Sequence, residues 1–404
     1  MIKTGQKQHI SIAGAIFCVF LILFPMDSAL AINNIAINNF IAIFCFIVLL
    51  IFDCNRINFK KNHLLYFFIA YVAYQLLLIV GSPDILSNRN IVFIFYCLFA
   101  FVISLVKWNK REKRLFIFSI AIGIIFTLIL ILTQISFDDD GRTYIELTRN
   151  IDQNYLCANF IFATVLLSNT IFNAKTITPR IVSFIILLLE FVCILFLGSR
   201  SGFLGNGIAV FLVCLVNIKK ILRHKILLLF ICVLLVVFFS LAPDWIKERF
   251  NIINMLNSSG SGRTEVWLQF LTIYASGSSF EVLFGFGRGS IYYFNELGMT
   301  KYCTHNIYLK ALIEGGVIGV LFFVLLVISI FVYIKKTRNY TLIALIGGYM
   351  ICGIFLDLDD YRIFPLLIIT LLLFGDTEYY LSFKKNKTLI VRNDLENIGS
   401  NVSL

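Results

Sequence analysis

The chain has 404 residues, of which 59% are hydrophobic and only 14% are Asp, Glu, Lys or Arg, and its formal net charge is +11. Soluble proteins carry about 25% charged residues, so no water-soluble fold hides this much apolar surface. The composition therefore excludes a soluble enzyme, a disordered chain and a disulfide scaffold. Because the apolar residues form unbroken runs instead of alternating ones, an outer-membrane β-barrel is excluded as well.

Twelve apolar segments approach the length of a membrane-spanning helix, which is about 17–25 residues. They are residues 11–30, 35–52, 64–80, 91–106, 115–135, 155–172, 181–197, 202–216, 226–241, 315–334, 341–356 and 363–374. The sequence therefore predicts an all-α polytopic membrane protein with about 12 transmembrane helices, forming a single integral membrane domain over residues 1–404.

Lysine and arginine are concentrated in every second loop between these segments. The basic clusters lie near residues 3–7, 56–61, 107–114, 175–180, 219–225, 335–338 and 384–392. Cytoplasmic loops of membrane proteins carry an excess of Lys and Arg. This pattern predicts a multi-pass protein of the bacterial inner membrane, with a cytoplasmic N-terminus and a cytoplasmic tail over residues 375–404. The positive charge thus indicates topology, and no nucleic-acid partner is expected.

The segment 242–304, between predicted spans 9 and 10, is the longest loop. Its basic and acidic residues are balanced, and it contains the aromatic residues Trp245, Trp267, Phe270 and Tyr274. Loops longer than about 12–15 residues are usually functional or disordered. Since this loop is rich in aromatic residues and is not of low complexity, we expect a folded periplasmic loop that carries the function.

Candidate chemistry in the outward segments consists of one histidine and three arginines in glycine- or serine-rich surroundings. An imidazole titrates near pKa ~6.5, so His305 is a candidate general base. Arginine binds phosphate oxygens with two parallel hydrogen bonds, which makes Arg200, Arg263 and Arg288 candidate ligands of a phosphate or diphosphate. The alternative is that His305 is a polar residue at a helix start and that each arginine is an interfacial anchor.

Two sets of carboxylates also require an interpretation. Glu190 lies inside predicted span 7, where it either pairs with Arg200 or makes an interhelical hydrogen bond. Asp357, Asp359 and Asp360 form the last outward turn, where they either bind a metal ion or are solvated at a span edge. We expect no metal site and no cofactor.

Several short motifs occur together in the second half of the chain. They are S-R-S-G around Arg200, G-R-T-E-V-W around Arg263, G-F-G-R-G at 285–289, H-N-I-Y-L from His305 and E-G-G from Glu314. In order and spacing over residues 195–325, they resemble the O-antigen ligase/polymerase superfamily of envelope glycosyltransferases. The first five predicted spans carry no motif.

The resemblance implies a GT-C-like, metal-independent membrane glycosyltransferase whose donor glycan is held on undecaprenyl diphosphate in the outer leaflet. The implied catalytic residues are His305, Arg263 and Arg200. The implied substrate-binding residues are Arg288, Trp267, Asn306, Tyr308 and Glu314. Partners would be the undecaprenyl-diphosphate-linked glycan, membrane lipid and a chain-length-regulating membrane protein.

Three activities remain open at this point. The resemblance favours a polymerase that joins lipid-linked repeat units into O-antigen or a related surface polysaccharide. The alternative within the family is a ligase that transfers finished polymer to lipid A–core. A repeat-unit flippase, from another class of protein, would be expected to have short outer loops and several ionisable residues inside its spans.

Overall fold

The computed structural model describes residues 9–26, 31–32, 35–59, 62–137, 143–145, 153–221, 247, 262–358 and 363–375. The predicted ninth span (226–241), most of the first third of the predicted periplasmic loop and the tail from residue 376 onward lie outside these described residues.

The first part of the chain is helical, with two short antiparallel hairpins. Its helices are α1 (Ile12–Leu23), α2 (Ile37–Phe52), α3 (His63–Val80), α4 (Asn88–Leu105), α5 (Lys110–Gln134), α6 (Gln153–Asn159), α7 (Ile161–Asn173), α8 (Ile177–Phe196), α9 (Arg200–Val216) and α10 (Ile218–Ile221). Short 3-10 turns cover Phe24–Met26 and Cys54–Arg56. The strands are β1 (Ala31–Ile32) with β2 (Ile35–Ala36), and β3 (Ile135–Phe137) with β4 (Thr143–Ile145).

The second part, from residue 262, begins with three short helices. They are α11 (Arg263–Ala275), α12 (Ser279–Phe284) and α13 (Ser290–Glu296), followed by α14 (Ile307–Thr337), α15 (Thr341–Gly353) and α16 (Ile363–Gly375). The G-R-T-E-V-W motif thus lies at the start of α11, which begins at Arg263. A small apolar core that includes Val266, Phe270 and Ile291 joins α11 and α13 to the start of α14.

Apolar helices lie at eleven of the twelve predicted span positions, and the remaining position is outside the described residues. Within the described residues, six helices are long and apolar enough to cross a membrane, and the other apolar helices are shorter. Large apolar side chains such as Phe44, Phe52 and Phe118 are more than half exposed on these helices. Since helices satisfy their backbone hydrogen bonds internally, such apolar surfaces are stable in lipid. The all-α membrane class is confirmed.

Helices α9 and α15 approach each other closely through glycine. A Cβ atom on Gly205 would lie 3.0 Å from the carbonyl oxygen of Gly348 and 2.3 Å from Sγ of Cys352. Small residues at helix contacts allow the backbones of membrane helices to pack together. This contact holds the N-terminal turn of α9, where Arg200 lies, beside the last turn of α15.

Helix α14 reverses direction at Gly316, which has φ 63° and ψ −165°. The ring centroids of Tyr308 and Phe323 lie 5.9 Å apart. In a straight helix, residues fifteen positions apart would be separated by about 22 Å. The segment that starts at Ile307 therefore folds back against the longer arm that follows Gly316, and that arm corresponds to the predicted tenth span.

Candidate functional site

A short turn before α14 is held by a buried carboxylate that follows α15. Asp357 is 1% exposed. It accepts hydrogen bonds from Oγ1 of Thr304 at 2.7 Å, from the backbone N–H of His305 at 3.1 Å and from that of Asn306 at 2.9 Å. Hydrogen bonds to a charged group are the stronger ones in proteins, so Asp357 fixes the turn that presents His305.

The backbone of His305 has φ 46°, a left-handed conformation that non-glycine residues rarely adopt. Such strain persists only where the surroundings over-determine it, and it is concentrated at functional sites. The next residue, Asn306, caps α14, because its Oδ1 accepts from the N–H groups of Tyr308 and Leu309 at 2.9 and 3.0 Å. Fixed on both sides, the half-buried imidazole of His305 is presented on a rigid backbone.

Helix α11 contacts the same turn. Nε1 of Trp267 donates to the carbonyl oxygen of Thr304 at 2.8 Å. At the first position of α11, the guanidinium carbon of Arg263 lies 5.6 Å from the ring centroid of Phe355, two residues before Asp357. Arg263 and His305 are thus both placed beside the segment that follows α15.

The segment carrying Arg200 reaches this region through α6. The hydroxyl groups of Ser199 and Ser201 donate to Oδ1 of Asn154 at 2.9 and 3.3 Å. The hydroxyl of the next residue, Tyr155, accepts the backbone N–H of Asp357 at 3.2 Å. In addition, Sγ of Cys352 donates to the carbonyl oxygen of Ser201. The structure therefore gathers the segments of the three predicted catalytic residues around the end of α15.

Arg288 lies in a different cluster, against α3 and α4. It is 1% exposed, its Nη1 donates to Oε1 of Gln75 at 2.8 Å, and its guanidinium carbon is 3.8 Å from the ring centroid of Phe93. Its backbone N–H donates to the carbonyl oxygen of Leu78 at 3.0 Å. Gln75, a polar residue inside α3, thus binds this arginine.

Glu314 belongs to the Arg288 cluster as well. Its Oε1 accepts the backbone N–H of Gly289 at 2.8 Å, and its Oε2 is 3.8 Å from Nζ of Lys310. Both Glu314 and Lys310 are almost completely buried. No local pattern singled out Lys310, since a lysine in a helix entering a span is usually an interfacial anchor.

The glycine-rich loop approaches the backbone of α14. The N–H of Gly287 donates to the carbonyl oxygen of Glu314 at 3.1 Å, and a Cβ on Gly285 would lie 2.2 Å from that oxygen. At these two positions the small residue makes room for the protein's own chain. The G-F-G-R-G and E-G-G motifs are therefore packing partners.

The hydroxyl of Tyr308 donates a hydrogen bond to the carbonyl oxygen of Met350 at 2.7 Å, and this bond connects the start of α14 to α15.

Glu190 is fully buried and forms a hydrogen bond with the hydroxyl of Thr164. The hydroxyl oxygen of Thr164 also lies 2.6 Å from Oδ1 of Asn206. Of the two interpretations of Glu190, the interhelical hydrogen bond is the one observed.

Asp357 is the site residue whose role was not predicted from the sequence. It was expected to bind a metal or to be solvated, whereas it is buried and holds the His305 turn. Its position at the end of an apolar span, next to other carboxylates, was the available signal. Among the described residues, no three His, Cys, Asp or Glu side chains form a metal-binding group. Asp359 and Asp360 lie outside the described residues.

Comparison with known proteins gives one family match. Residues 183–324 match the family described as O-antigen ligase. The resemblance to the O-antigen ligase/polymerase family is confirmed over this stretch. It extends from α8 into α14 and includes Arg200, Arg263, Arg288, His305 and Glu314. No curated protein matches the chain. The match supports an enzyme of glycan transfer acting on lipid-linked glycans, and the apolar helices support a multi-pass membrane protein.

Proposed function

We propose that this protein polymerises undecaprenyl-diphosphate-linked oligosaccharide repeat units into O-antigen or a related surface polysaccharide at the periplasmic face of the inner membrane. The observation that supports this proposal is the convergence of the Arg200, Arg263 and His305 segments around the Asp357-held turn. Two guanidinium groups can stabilise the charge of a leaving diphosphate, and an imidazole can act as general base on an acceptor hydroxyl.

In the proposed reaction, an acceptor hydroxyl attacks the anomeric carbon of the donor sugar and the bond from that carbon to the diphosphate oxygen breaks. His305 accepts the hydroxyl proton as general base. Arg200 and Arg263 stabilise the negative charge that develops on the leaving diphosphate. Attack opposite the leaving group inverts the anomeric configuration, and no metal ion is required because the guanidinium groups supply the positive charge.

Substrate contacts are proposed in two places. Trp267, Asn306 and Tyr308 flank the His305 turn and are proposed to contact the glycan. Arg288 and Glu314 stay sequence-based proposals for substrate binding, since the contacts described for them, such as those with Gln75 and Gly289, are with the protein itself.

The second candidate is an O-antigen ligase, which the description of the matched family favours. The donor and the leaving group are the same for both activities, and only the acceptor differs.

Deletion of the gene followed by lipopolysaccharide gel analysis separates the candidates. If the protein is a polymerase, the deletion strain should make lipid A–core that bears a single repeat unit. Bare core with accumulated lipid-linked polymer would indicate a ligase, and bare core with units retained inside the cell would indicate a flippase.

Complementation of the deletion strain tests the assigned residues. Arg263→Ala and His305→Ala should restore no polymer, with membrane protein levels equal to wild type on immunoblots. Lys301→Ala is the matched control, because Lys301 is a cation of the same outward segment with a side chain that is 68% exposed. Polymer of wild-type length from either site variant would refute the proposed roles.

A further inference from the structure

A buried polar cluster lies between three helices, apart from the His305 turn. It consists of Thr164 on α7, Glu190 on α8 and Asn206 on α9, and each of the three residues is 0% exposed. One turn further along α8, Ile194 belongs to an apolar core. Polar and ionisable groups inside a membrane bundle are candidates for a functional role. The proposed transfer reaction gives none of these three side chains such a role.

Both amide hydrogens of Asn206 are used. Its Nδ2 donates to the carbonyl oxygen of Cys157 at 3.0 Å and to that of Gly202 at 2.8 Å. These two bonds fix the orientation of the amide group, so Oδ1 faces Thr164, whose hydroxyl oxygen lies 2.6 Å away. An amide oxygen only accepts hydrogen bonds. The single hydrogen of the Thr164 hydroxyl is therefore donated to Asn206.

The hydroxyl oxygen of Thr164 is also in hydrogen-bond contact with Oε1 of Glu190. A hydroxyl group has one hydrogen, and its oxygen can accept as well as donate. Because that hydrogen is donated to Asn206, the contact between Thr164 and Glu190 needs a hydrogen from the other partner. An ionised carboxylate has none, whereas a protonated carboxyl group has one O–H donor. The hydrogen bonds of the cluster are therefore complete only with the neutral acid.

The surroundings of Glu190 favour the neutral acid as well. In the part of the chain that the structure describes, its second oxygen, Oε2, is buried and has no hydrogen-bond partner. Glu190 also belongs to none of the salt bridges between described residues. An unpaired charge is far more costly to bury than a neutral group, and such groups become neutral instead. The count of donors and the burial thus agree.

The cluster is connected to Arg200 through Asn206. By donating to Cys157 and Gly202, the Asn206 amide bridges α6 and the first turn of α9. A Cβ atom on Gly202 would lie 2.2 Å from Cβ of Cys157, so α6 and α9 are in close contact at this point. Arg200 is the first residue of α9, two positions before Gly202. The Asn206 amide therefore holds the Arg200 turn against α6.

We propose that Glu190 is a neutral carboxylic acid that donates a hydrogen bond to Thr164, and that the chain of Glu190, Thr164 and Asn206 positions the turn of Arg200. Glu190 is then a positioning residue, which acts through two other side chains and keeps its proton throughout the reaction. The positioning role rests on the proposed function of Arg200 in glycan transfer. The protonation of Glu190 does not depend on what the protein catalyses.

Infrared difference spectroscopy of the purified full-length protein at neutral pH tests the protonation. A neutral carboxylic acid has a C=O stretching band that an ionised carboxylate lacks. Glu190→Gln should remove such a band from the wild-type spectrum. Glu296→Gln is the matched control, because Glu296 is exposed at the end of α13, and it should leave the band unchanged. A wild-type spectrum that does not lose this band in Glu190→Gln would overturn the proposal.

The rate of glycan polymerisation tests the positioning role. Glu190→Gln keeps a neutral donor for Thr164 and should retain the wild-type kcat. Thr164→Val keeps the shape of the side chain and removes its hydroxyl. Its kcat should fall about tenfold at unchanged KM, because Arg200 then stabilises the leaving diphosphate less well. Thr170→Val is the control on the same helix, since the Thr170 hydroxyl bonds the carbonyl oxygen of Leu166, and it should keep the wild-type kcat.

The same variants separate the positioning role from damage to the fold. Each kcat is expressed per molecule of folded protein, measured as the monodisperse peak in size-exclusion chromatography, so a smaller yield of folded protein does not lower it. A loss of kcat in Glu190→Gln, or a wild-type kcat in Thr164→Val, would overturn the positioning role. If the wild-type protein made no polymer from lipid-linked repeat units, the proposed function would fail together with that role. The infrared comparison would still decide the protonation of Glu190.

Discussion

At the scale of single residues, Asp357 decides the geometry of the candidate site. Its two carboxylate oxygens bind three donors from consecutive residues, Thr304 to Asn306. These bonds hold His305 in a left-handed conformation, with φ 46°, that its side chain would otherwise disfavour. Asp357 therefore acts through His305, as a positioning residue.

Asp357→Asn tests this role. The side-chain amide nitrogen of Asn is a donor, so it cannot accept a hydrogen bond in the place of the carboxylate oxygen that it replaces. At least one of the three donors of the turn then loses its acceptor. Hydrogen bonds to charged groups contribute about 1.5–3 kcal/mol, so the rate of glycan polymerisation should fall by on the order of 10–100-fold. The rate is measured with purified protein and lipid-linked repeat units. The exposed Asp84 supplies the control Asp84→Asn, which should keep the wild-type rate. An unchanged rate in Asp357→Asn would show that the carboxylate is dispensable.

At the scale of elements, the reversal of α14 brings the two glycine-containing motifs together. At Gly316 the backbone occupies a region of conformational space that is essentially restricted to glycine. The reversal places the arm of residues 307–315 against the longer arm, and the backbone of Ile313 and Glu314 then binds the loop of Phe286 and Gly287. The start of α14, and with it the His305 turn, is positioned by this reversal.

Gly316→Ala should destabilise the protein by at least about 1–3 kcal/mol from backbone strain alone. The added Cβ would also lie 2.4 Å from the carbonyl oxygen of Leu283. The measurement is thermal unfolding in detergent together with polymer formation, and both should decline.

Two further glycines provide matched controls for this prediction. Gly298→Ala tests the strain of φ +71° without a steric clash, since nothing lies within 4 Å of its added Cβ. Gly207→Ala lies in α9 with the same open space. It should be neutral, or stabilising by up to ~1 kcal/mol. If Gly316→Ala unfolded no earlier than Gly207→Ala, the reversal would not depend on glycine.

At the scale of the whole molecule, the bundle carries two polar regions connected by α3. Leu65, near the start of α3, lines a cavity that Lys107 and Lys113 also line, and Leu78, near the end of α3, accepts the backbone N–H of Arg288. Thirteen residues of helix separate these positions by about 20 Å. This cavity and the Arg288 cluster are therefore at opposite ends of α3.

The whole-molecule proposal of metal-independent transfer predicts insensitivity to chelators. With arginines stabilising the diphosphate, EDTA should leave the rate of polymerisation by the purified protein unchanged within about twofold. The assay is product length on gels with and without EDTA, and a magnesium-dependent glycosyltransferase serves as the positive control for chelation. Inhibition that added Mg²⁺ reverses would instead support a metal site at the carboxylates that follow α15.

Composition and apolar run length were enough to predict the membrane class and the positions of the helices. The reason is that a lipid environment requires each span to be apolar and to satisfy its own hydrogen bonds. The motifs likewise predicted the family match over residues 183–324, and they singled out Arg200, Arg263 and His305 as candidates.

What only the tertiary structure decided is how distant segments meet. Asp357 lies 52 positions after His305 and Gln75 lies 213 positions before Arg288, so no local pattern relates these pairs. Gly285 is required because an added Cβ would meet the backbone of α14 at Glu314, and Gly287 is required because an added Cβ would meet the backbone of Gly81 after α3. Long-range pairing depends on the path of the chain between the partners, and that path is set by packing of whole helices, which a linear motif does not encode.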